Sequence, residues 1–360
     1  MTFAQPQASC RDRPGRARVA HGLGMAVIAL IASLGLCACS AHPQVQVLQG
    51  ESMGSGWTVR YVGDAESAAA VQAGVQQRLD QVDAQMSTWK PQSDLSRYNQ
   101  ATAESWVEVP VDLFQVIAAA LKLAAETGGA YDPSVGPLVD LWGFGPTPAN
   151  RAPPDAATIA DMRARTGWQR IRLDPTTHRV WQPGGSRIDL SSIAPGFAVD
   201  QIAQFLESQG HHDFLIEVGG EVRGQGSKPD GTPWQVAIQR PLDNDRADGE
   251  VDAQHVVGLV DAALGSSGDY RHFFEDGGRR YAHRIDPRTG YPLDNNVASV
   301  TVMSGKCQDA DPLATALSVL GMEQGLAFAE KRGIAVLYIL RTPDGFEERM
   351  SPGFAALLGE

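Results

Sequence analysis

Asp311 and Thr315 stand four residues apart in Asp311-Pro312-Leu313-Ala314-Thr315, which opens an apolar stretch reaching Leu320. That spacing is just over one helical turn, so both oxygens can face the same way near a helix start. Pro312 suits the first turn of such a helix, where a missing N–H costs nothing. A carboxylate with neutral oxygens is a donor set for a hard cation such as magnesium, which keeps open positions for phosphate oxygens. An N-cap Asp followed by an ordinary buried Thr would give the same pattern. A second segment, residues 188–200, reads as a strand running through Ser191-Ser192-Ile193-Ala194-Pro195-Gly196 into a helix. Such a turn can offer backbone N–H groups to a phosphate, and it can equally be a plain strand-to-helix connection. Neither segment holds a Walker loop or a Rossmann glycine fingerprint.

Other segments place polar groups among apolar or turn-forming residues: Met86-Ser87-Thr88-Trp89-Lys90, Gly129-Ala130-Tyr131-Asp132-Pro133, Glu217-Val218-Gly219-Gly220-Glu221, Ser266-Ser267-Gly268-Asp269-Tyr270-Arg271 and His283-Arg284-Ile285-Asp286-Pro287-Arg288-Thr289-Gly290. Trp89 and Tyr131 could stack a flat ring, or anchor a core. The Asp-Pro-x-Thr-Gly piece by itself is a turn.

These residues need elements to position them. Val71, Val75, Leu79, Val82 and Met86 recur every three or four residues, as do Leu113, Val116, Ile117, Ala120, Leu121 and Ala124, so both stretches are helices. Gly128-Gly129 stops the second in the manner of a left-handed cap. Val199, Ile202, Phe205 and Leu206 mark a third helix, closed at Gly210. A Pro-rich loop at 146–154 leads to a short helical pattern and a hairpin-like pair, 171–173 and 179–181, around Asp174-Pro175. Apolar, β-branched runs at 214–218, 234–238, 256–260, 298–303 and 334–340 are strands. Strands with segregated long helices indicate an α+β fold with a mixed, mainly antiparallel sheet.

The N-terminus reads differently. Four arginines, at 11, 13, 16 and 18, precede an apolar run at 25–36 that is short for a membrane span and suited to an export signal. It ends in Leu36-Cys37-Ala38-Cys39, a lipobox-like pattern in which Cys39 is the better acylation site, because cleavage before Cys37 would put Leu36 at −1; a plain secretory signal cut nearby is the alternative. The expected organisation is a signal peptide at 1–38, a tether at 39–50 and a catalytic domain at 51–360. Cys307 is then the one free thiol, so neither an internal disulfide nor a Cys-rich metal site is available. Residues 1–38 carry four Arg and one Asp, so removing them deepens the formal net charge from −12 to −15. Such a chain repels nucleic acid, and a phosphate-bearing substrate would need N–H groups, Arg or a divalent cation at its site.

The order of the segments is more specific than any of them. Met53-Gly54-Ser55, Ser87-Thr88-Trp89, Ser93-Asp94-Leu95-Ser96, Ala130-Tyr131-Asp132-Pro133, Gly136-Pro137-Leu138 and Leu141-Trp142-Gly143-Phe144-Gly145 resemble the ApbE family of FAD:protein FMN transferases. So do residues 188–200, Gly219-Gly220-Glu221, Ser267-Gly268-Asp269-Tyr270, residues 283–292 and residues 310–315. The resemblance implies that Asp311, Thr315 and a main-chain oxygen of Ser192 hold magnesium, and that FAD lies against Met53, Trp89, Ala130, Tyr131, Asp132, Asp189 and Ile285. It makes His283 a candidate base for phosphoryl transfer, moving FMN onto a Thr or Ser of a partner and releasing AMP. Pro195, in the flavin-binding set, stands where many members have Lys, and Arg284 follows His283 where many have Ile; Arg284 is a candidate to replace the missing cation. Two further readings share the site: hydrolysis of FAD to FMN and AMP, and a non-catalytic flavin-binding or assembly lipoprotein. The resemblance also points to an acceptor among membrane or exported electron-transfer flavoproteins, and to a periplasmic location, lipid-anchored at the inner or outer membrane. Cys39→Ser is expected to leave the protein folded but free of the membrane. A substituted protein that still pelleted with membranes after a salt wash would refute the anchor.

Overall fold

The computed structural model describes residues 44–147, 152–242, 253–269 and 273–359. Cys39 and the export signal, together with Tyr270 and Arg271, lie outside the described residues. From Pro43 onward the chain forms one structural unit.

Eight strands make one sheet, and their spatial order is their chain order. They are β1 (Gln44–Ser52), β2 (Ser55–Gly63), β3 (Phe214–Val218), β4 (Glu221–Gln225), β5 (Ala262–Gly268), β6 (Val297–Ser304), β7 (Ala335–Thr342) and β8 (Gly345–Met350). Every neighbouring pair is antiparallel. Residues 44–50, expected to be tether, are instead most of edge strand β1, paired with β2 from Gln44↔Gly63 to Ser52↔Ser55. Their alternating Val45, Val47 and Gln49 fit an edge strand whose outer row of polar groups meets solvent.

Four long helices cover one face: α1 (Ala68–Met86), α2 (Val111–Glu126), α3 (Ala194–Ser208) and α4 (Cys307–Arg332). The expected stripe Val71, Val75, Leu79, Val82 and Met86 is buried along α1, and α2 is followed by Gly128 and Gly129, both at positive φ. Phe214, Ile216 and Val218 of β3 point into the core shared with α1, α2 and α3. Leu215 of β3, Val222 of β4, Leu264 of β5 and Leu337 of β7 point to the opposite face, beneath the hairpin of Trp234–Gln239 and Ala253–Leu259 and the helix Pro352–Leu358. Both faces of the sheet are therefore buried. The expected pair around Asp174 forms as Leu173–Asp174 and Arg179–Gln182, completed by Ser105–Glu108.

Helix α4 departs from the sequence reading. It starts at Cys307, so Pro312 lies in its interior and Asp311 is a full turn inside rather than at an N-cap. Pro312 cannot donate to the Gln308 carbonyl, a local weakness the helix tolerates near its start. Its first-turn N–H groups are capped from another helix: the Asp200 carboxylate on α3 accepts from Cys307 N (3.2 Å) and Gln308 N (3.0 Å). Arg223 of β4 supplies the charge partner, 2.7 Å from Asp200 Oδ1. A carboxylate at a helix N-terminus also opposes the helix dipole favourably.

Two glycines let these elements close up. A Cβ on Gly196 would sit 2.4 Å from Cys307 O, so α3 meets α4 backbone to backbone. A Cβ on Gly265 would sit 2.4 Å from Asp311 N, so β5 lies flush against α4 where Asp311 leaves it. Gly265→Ala is expected to destabilise the fold by at least about 1–3 kcal/mol through overpacking against backbone that cannot move aside. A urea unfolding midpoint equal to the parent's would contradict this contact.

Candidate active site

The site is assembled from the ends of elements. After α1, Ser93 holds the Trp89 loop: its hydroxyl donates to Ser87 O (2.6 Å) and accepts from Ser96 N (3.0 Å), which caps the short helix Asp94–Asn99. Ser96 Oγ also donates to Ser87 O. Trp89 itself is 65% exposed, a ring presented rather than packed. From the same helix, Asn99 grips Ile188 with both arms, donating to Ile188 O (2.9 Å) and accepting from Ile188 N (2.8 Å). Asp189 N then donates to Pro133 O (2.7 Å), which joins the 188–193 turn to the Ala130-Tyr131-Asp132-Pro133 loop.

That junction brings together Tyr131, Asp189, Ser192 and Asp311. Ser192 Oγ lies 3.4 Å from the Tyr131 hydroxyl, and the charges of Asp311, Asp189 and Asp132 all bear on the Tyr131 phenol, which burial pushes well up from its ordinary range. Asp311 is 6% exposed and not the open pocket carboxylate that a surface metal ligand would be. Its Oδ2 accepts one hydrogen bond, from Gly196 N at 3.1 Å, and burial pushes its carboxyl up to about 7. Glu221, 7% exposed at the start of β4, is raised further above its usual range by burial and then by the charge of Asp311. Thr315, half-buried, follows Asp311 one turn along α4.

Several expected site residues also carry local contacts of their own. Asp132 is committed to its own loop, accepting from Ser134 N (2.8 Å), Ser134 Oγ (2.6 Å) and Trp168 N (3.0 Å). Residues 188–193 form a turn rather than a strand, with a lone bridge from Arg187 to Val135. The start of α3 offers no cradle for phosphate. Ala194 N donates to Leu190 O, Pro195 has no N–H, and Gly196 N is taken by Asp311. Arg284 cannot serve as the surrogate cation: it is buried, donating to Val297 O (2.7 Å) with Asp269 3.4 Å away, and Arg341 shares the same Asp269. Ile285 belongs to a separate apolar cluster with Leu138, Trp142, Ile159 and Phe274, and His283 stands edge-on to Phe144, ring centroids 6.4 Å apart. Asp286, next to them, has both oxygens held by Arg288 at 2.8–2.9 Å. Met53 sits at the tip of the β1–β2 hairpin with φ 53°, its side chain against the main core.

The sequence motifs do not mark Asp200 and Glu221 as site residues. The signal for Asp200 is an acid inside an apolar helix stripe. For Glu221 it is a Gly-Gly turn between two apolar runs, which aims the next residue inward.

The antiparallel sheet backed by helices, with a buried carboxylate among hydroxyls at their junction, places the protein with the α+β flavin transferases in architecture. The apo flavinyl transferase ApbE of Pseudomonas stutzeri is similar with a TM-score of 0.80 and 38% identity, over 88% of this chain and 98% of that one. The flavin transferase ApbE of Vibrio cholerae is equally similar, with a TM-score of 0.80 and 38% identity over 88% of this chain and 100% of that one. In sequence, the FAD:protein FMN transferase of Haemophilus influenzae is 39% identical over 338 residues, 92% of this chain and 96% of that protein. The ApbE family profile matches residues 53–338, and the chain belongs to the ApbE family.

The raised carboxyls set a pH dependence for the metal-free protein. Asp311 and Glu221 keep protons in the folded state that the unfolded chain releases above about pH 4. Their contribution to stability is therefore complete below that pH; the Asp311 share is lost as pH rises through about 7, and the Glu221 share as pH rises well above the usual carboxylate range. In chelator, the urea midpoint is expected to fall between pH 5 and 8, and Asp311→Asn should flatten the fall. A parent midpoint independent of pH over that range would show that neither acid is desolvated as described.

Proposed function

We propose that the chain is a magnesium-dependent FAD:protein FMN transferase, moving FMN from FAD to a Thr or Ser hydroxyl of a partner protein and releasing AMP. Family membership and the transferase relatives support the reaction class. The observation that carries the metal dependence is Asp311, a buried carboxylate with one hydrogen bond and no cationic partner among the described residues. Those residues contain no cluster of three His, Cys, Asp or Glu that would cage an ion by themselves. The donor set that fits is instead Asp311, Thr315 and the main-chain oxygen of Ser192, with substrate phosphate completing the shell, as suits magnesium. Bound there, the cation neutralises pyrophosphate charge and so lowers the barrier to displacement at phosphorus.

This chain's own residues do the rest. Met53, Trp89, Ala130, Tyr131, Asp189 and Ile285 line the flavin nucleotide, with Trp89 free to stack on a ring and Pro195 adding only an apolar contact. The acceptor hydroxyl oxygen attacks the FMN-side phosphorus, the bond from that phosphorus to the bridging oxygen breaks, and AMP leaves with that oxygen. The hydroxyl proton passes to His283, since the Arg288 fork occupies Asp286. The acceptor is a membrane or exported electron-transfer flavoprotein, met on the periplasmic side of the envelope, where lipid on Cys39 anchors the enzyme to the inner or outer membrane.

Incubation with FAD, magnesium and a Thr-bearing acceptor should add the mass of FMN to the acceptor, less water, and release AMP. Free FMN in place of the adduct would identify hydrolysis, and no turnover with retained flavin would identify a binding protein. His283→Asn is expected to bind FAD as the parent does and to transfer FMN about two to four powers of ten more slowly. Asp311→Ala should abolish turnover, and turnover unaffected by a chelator would remove the metal from the mechanism.

A further inference from the structure

Glu221 follows directly on the Gly219-Gly220 turn, whose two residues have φ of 63° and 103° and join β3 to β4 through the pair Val218↔Glu221. A two-residue turn with both φ positive fixes the hairpin register, and with it the face each side chain takes. Val222 faces the far core, so Glu221 faces the helices, on the side where α4 carries Asp311. Two contacts tie this corner together: Gly265 of β5 lies against Asp311 N, and Cys307 Sγ of α4 is 3.7 Å from Val222 O.

Glu221 is 7% exposed, and among the described residues its Oε2 has no hydrogen-bond partner. Among them, too, no cationic side chain forms an ion pair with it in the way Arg223 pairs with Asp200. A buried carboxylate oxygen without donor or cation is costly, and a second carboxylate beside it adds to the cost. The two acids of this corner share one deficiency, a missing positive charge.

We propose that Glu221 is the second carboxylate of the cation centre, holding the divalent ion together with Asp311, so that the ion is bound before the nucleotide arrives. This rests on the metal-dependent reading above. One carboxylate with neutral oxygens holds magnesium weakly until phosphates complete its shell; two buried carboxylates balance its full charge without them. The nucleotide then meets a loaded site and need not bring its own ion.

The test is binding of Mn2+ alone, read by electron paramagnetic resonance and calorimetry, to the full chain stripped of metal and free of FAD. The parent is expected to bind one ion and Asp311→Asn to lose it. Glu221→Gln, the same shape without the charge, should bind at least tenfold more weakly while its urea midpoint stays near the parent's. Glu221→Asp should recover part of the affinity. Binding by Glu221→Gln within about threefold of the parent, or no binding by the parent without FAD, would overturn the proposal. So would a loss of affinity that tracks a fall in the urea midpoint and is not recovered by Glu221→Asp. None of these readouts requires turnover, so a failure here leaves the transferase reading to its own assay, and absent FMN transfer leaves Mn2+ binding interpretable.

Discussion

The structure depends on keeping one carboxylate dry and uncompensated. Asp311 projects from α4 into a junction where α3 and β5 approach at backbone distance, and both approaches require a residue without a Cβ. Asp200, on the facing helix, shows what a buried acid looks like when its role is structural. It has a guanidinium at 2.7 Å and two main-chain donors from the first turn of α4. Among the described residues Asp311 has one donor and no such partner. Breaking a buried ion pair costs about 3–5 kcal/mol, a large share of the 5–15 kcal/mol that separates folded from unfolded chains. Of these two buried aspartates, one is satisfied by protein groups and the other keeps a single donor among the described residues, which is the contrast the proposed cation site rests on.

The same junction limits which protein groups could meet an anion in this acidic protein. A helix N-terminus is the common anion site, yet at α3 its donors are spent on Leu190 O and on Asp311, and Pro195 brings none. Arg284, the nearest sequence candidate for a cation, is turned into the fold to join Arg341 on Asp269. Those local N–H groups and that arginine are thus engaged within the fold, which is why the proposed site draws its positive charge from a bound ion.

How much of this the sequence discloses depends on the range of the interaction. The stripes of α1 and α2 follow a 3.6-residue period, and the Gly-Gly stop after α2 is a local backbone requirement, so both are readable from residues alone. The strands at 214–218 and 298–303 are also readable, although the sheet order is not. The start of α4 is hidden, because its cap is Asp200, more than a hundred residues earlier, while Pro312 imitates a first turn that lies five residues upstream. The strand at 44–50 is hidden by composition: Gln and Val alternate, but on an edge exposed on one side the polar residues read as tether. The site residues emerged from motif order, yet the division between ligands and supports did not. Asp132 reads as a flavin contact, and only the structure adds that its two oxygens are also held by Ser134 and Trp168. Whether an acid is free or spoken for is a tertiary fact.

The sheet register finally determines which acids can work together. β2 pairs with β3 through Trp57↔Val218, so the β1–β2 tip bearing Met53 and the β3–β4 tip bearing Gly219-Gly220 lie side by side, with Gly219 N bonded to Gly56 O at 3.2 Å. Side chains alternate faces with a period of two, so a slip of one residue in β4 would exchange Glu221 for Val222. The carboxylate would then enter the apolar cluster of Leu215, Leu264 and Leu337, and Val222 would face Asp311. That penalty makes the slipped pairing untenable, and the two-glycine turn makes the observed pairing the easy one. The acid opposite Asp311 is thus held by the same register that closes the core on both sides of the sheet.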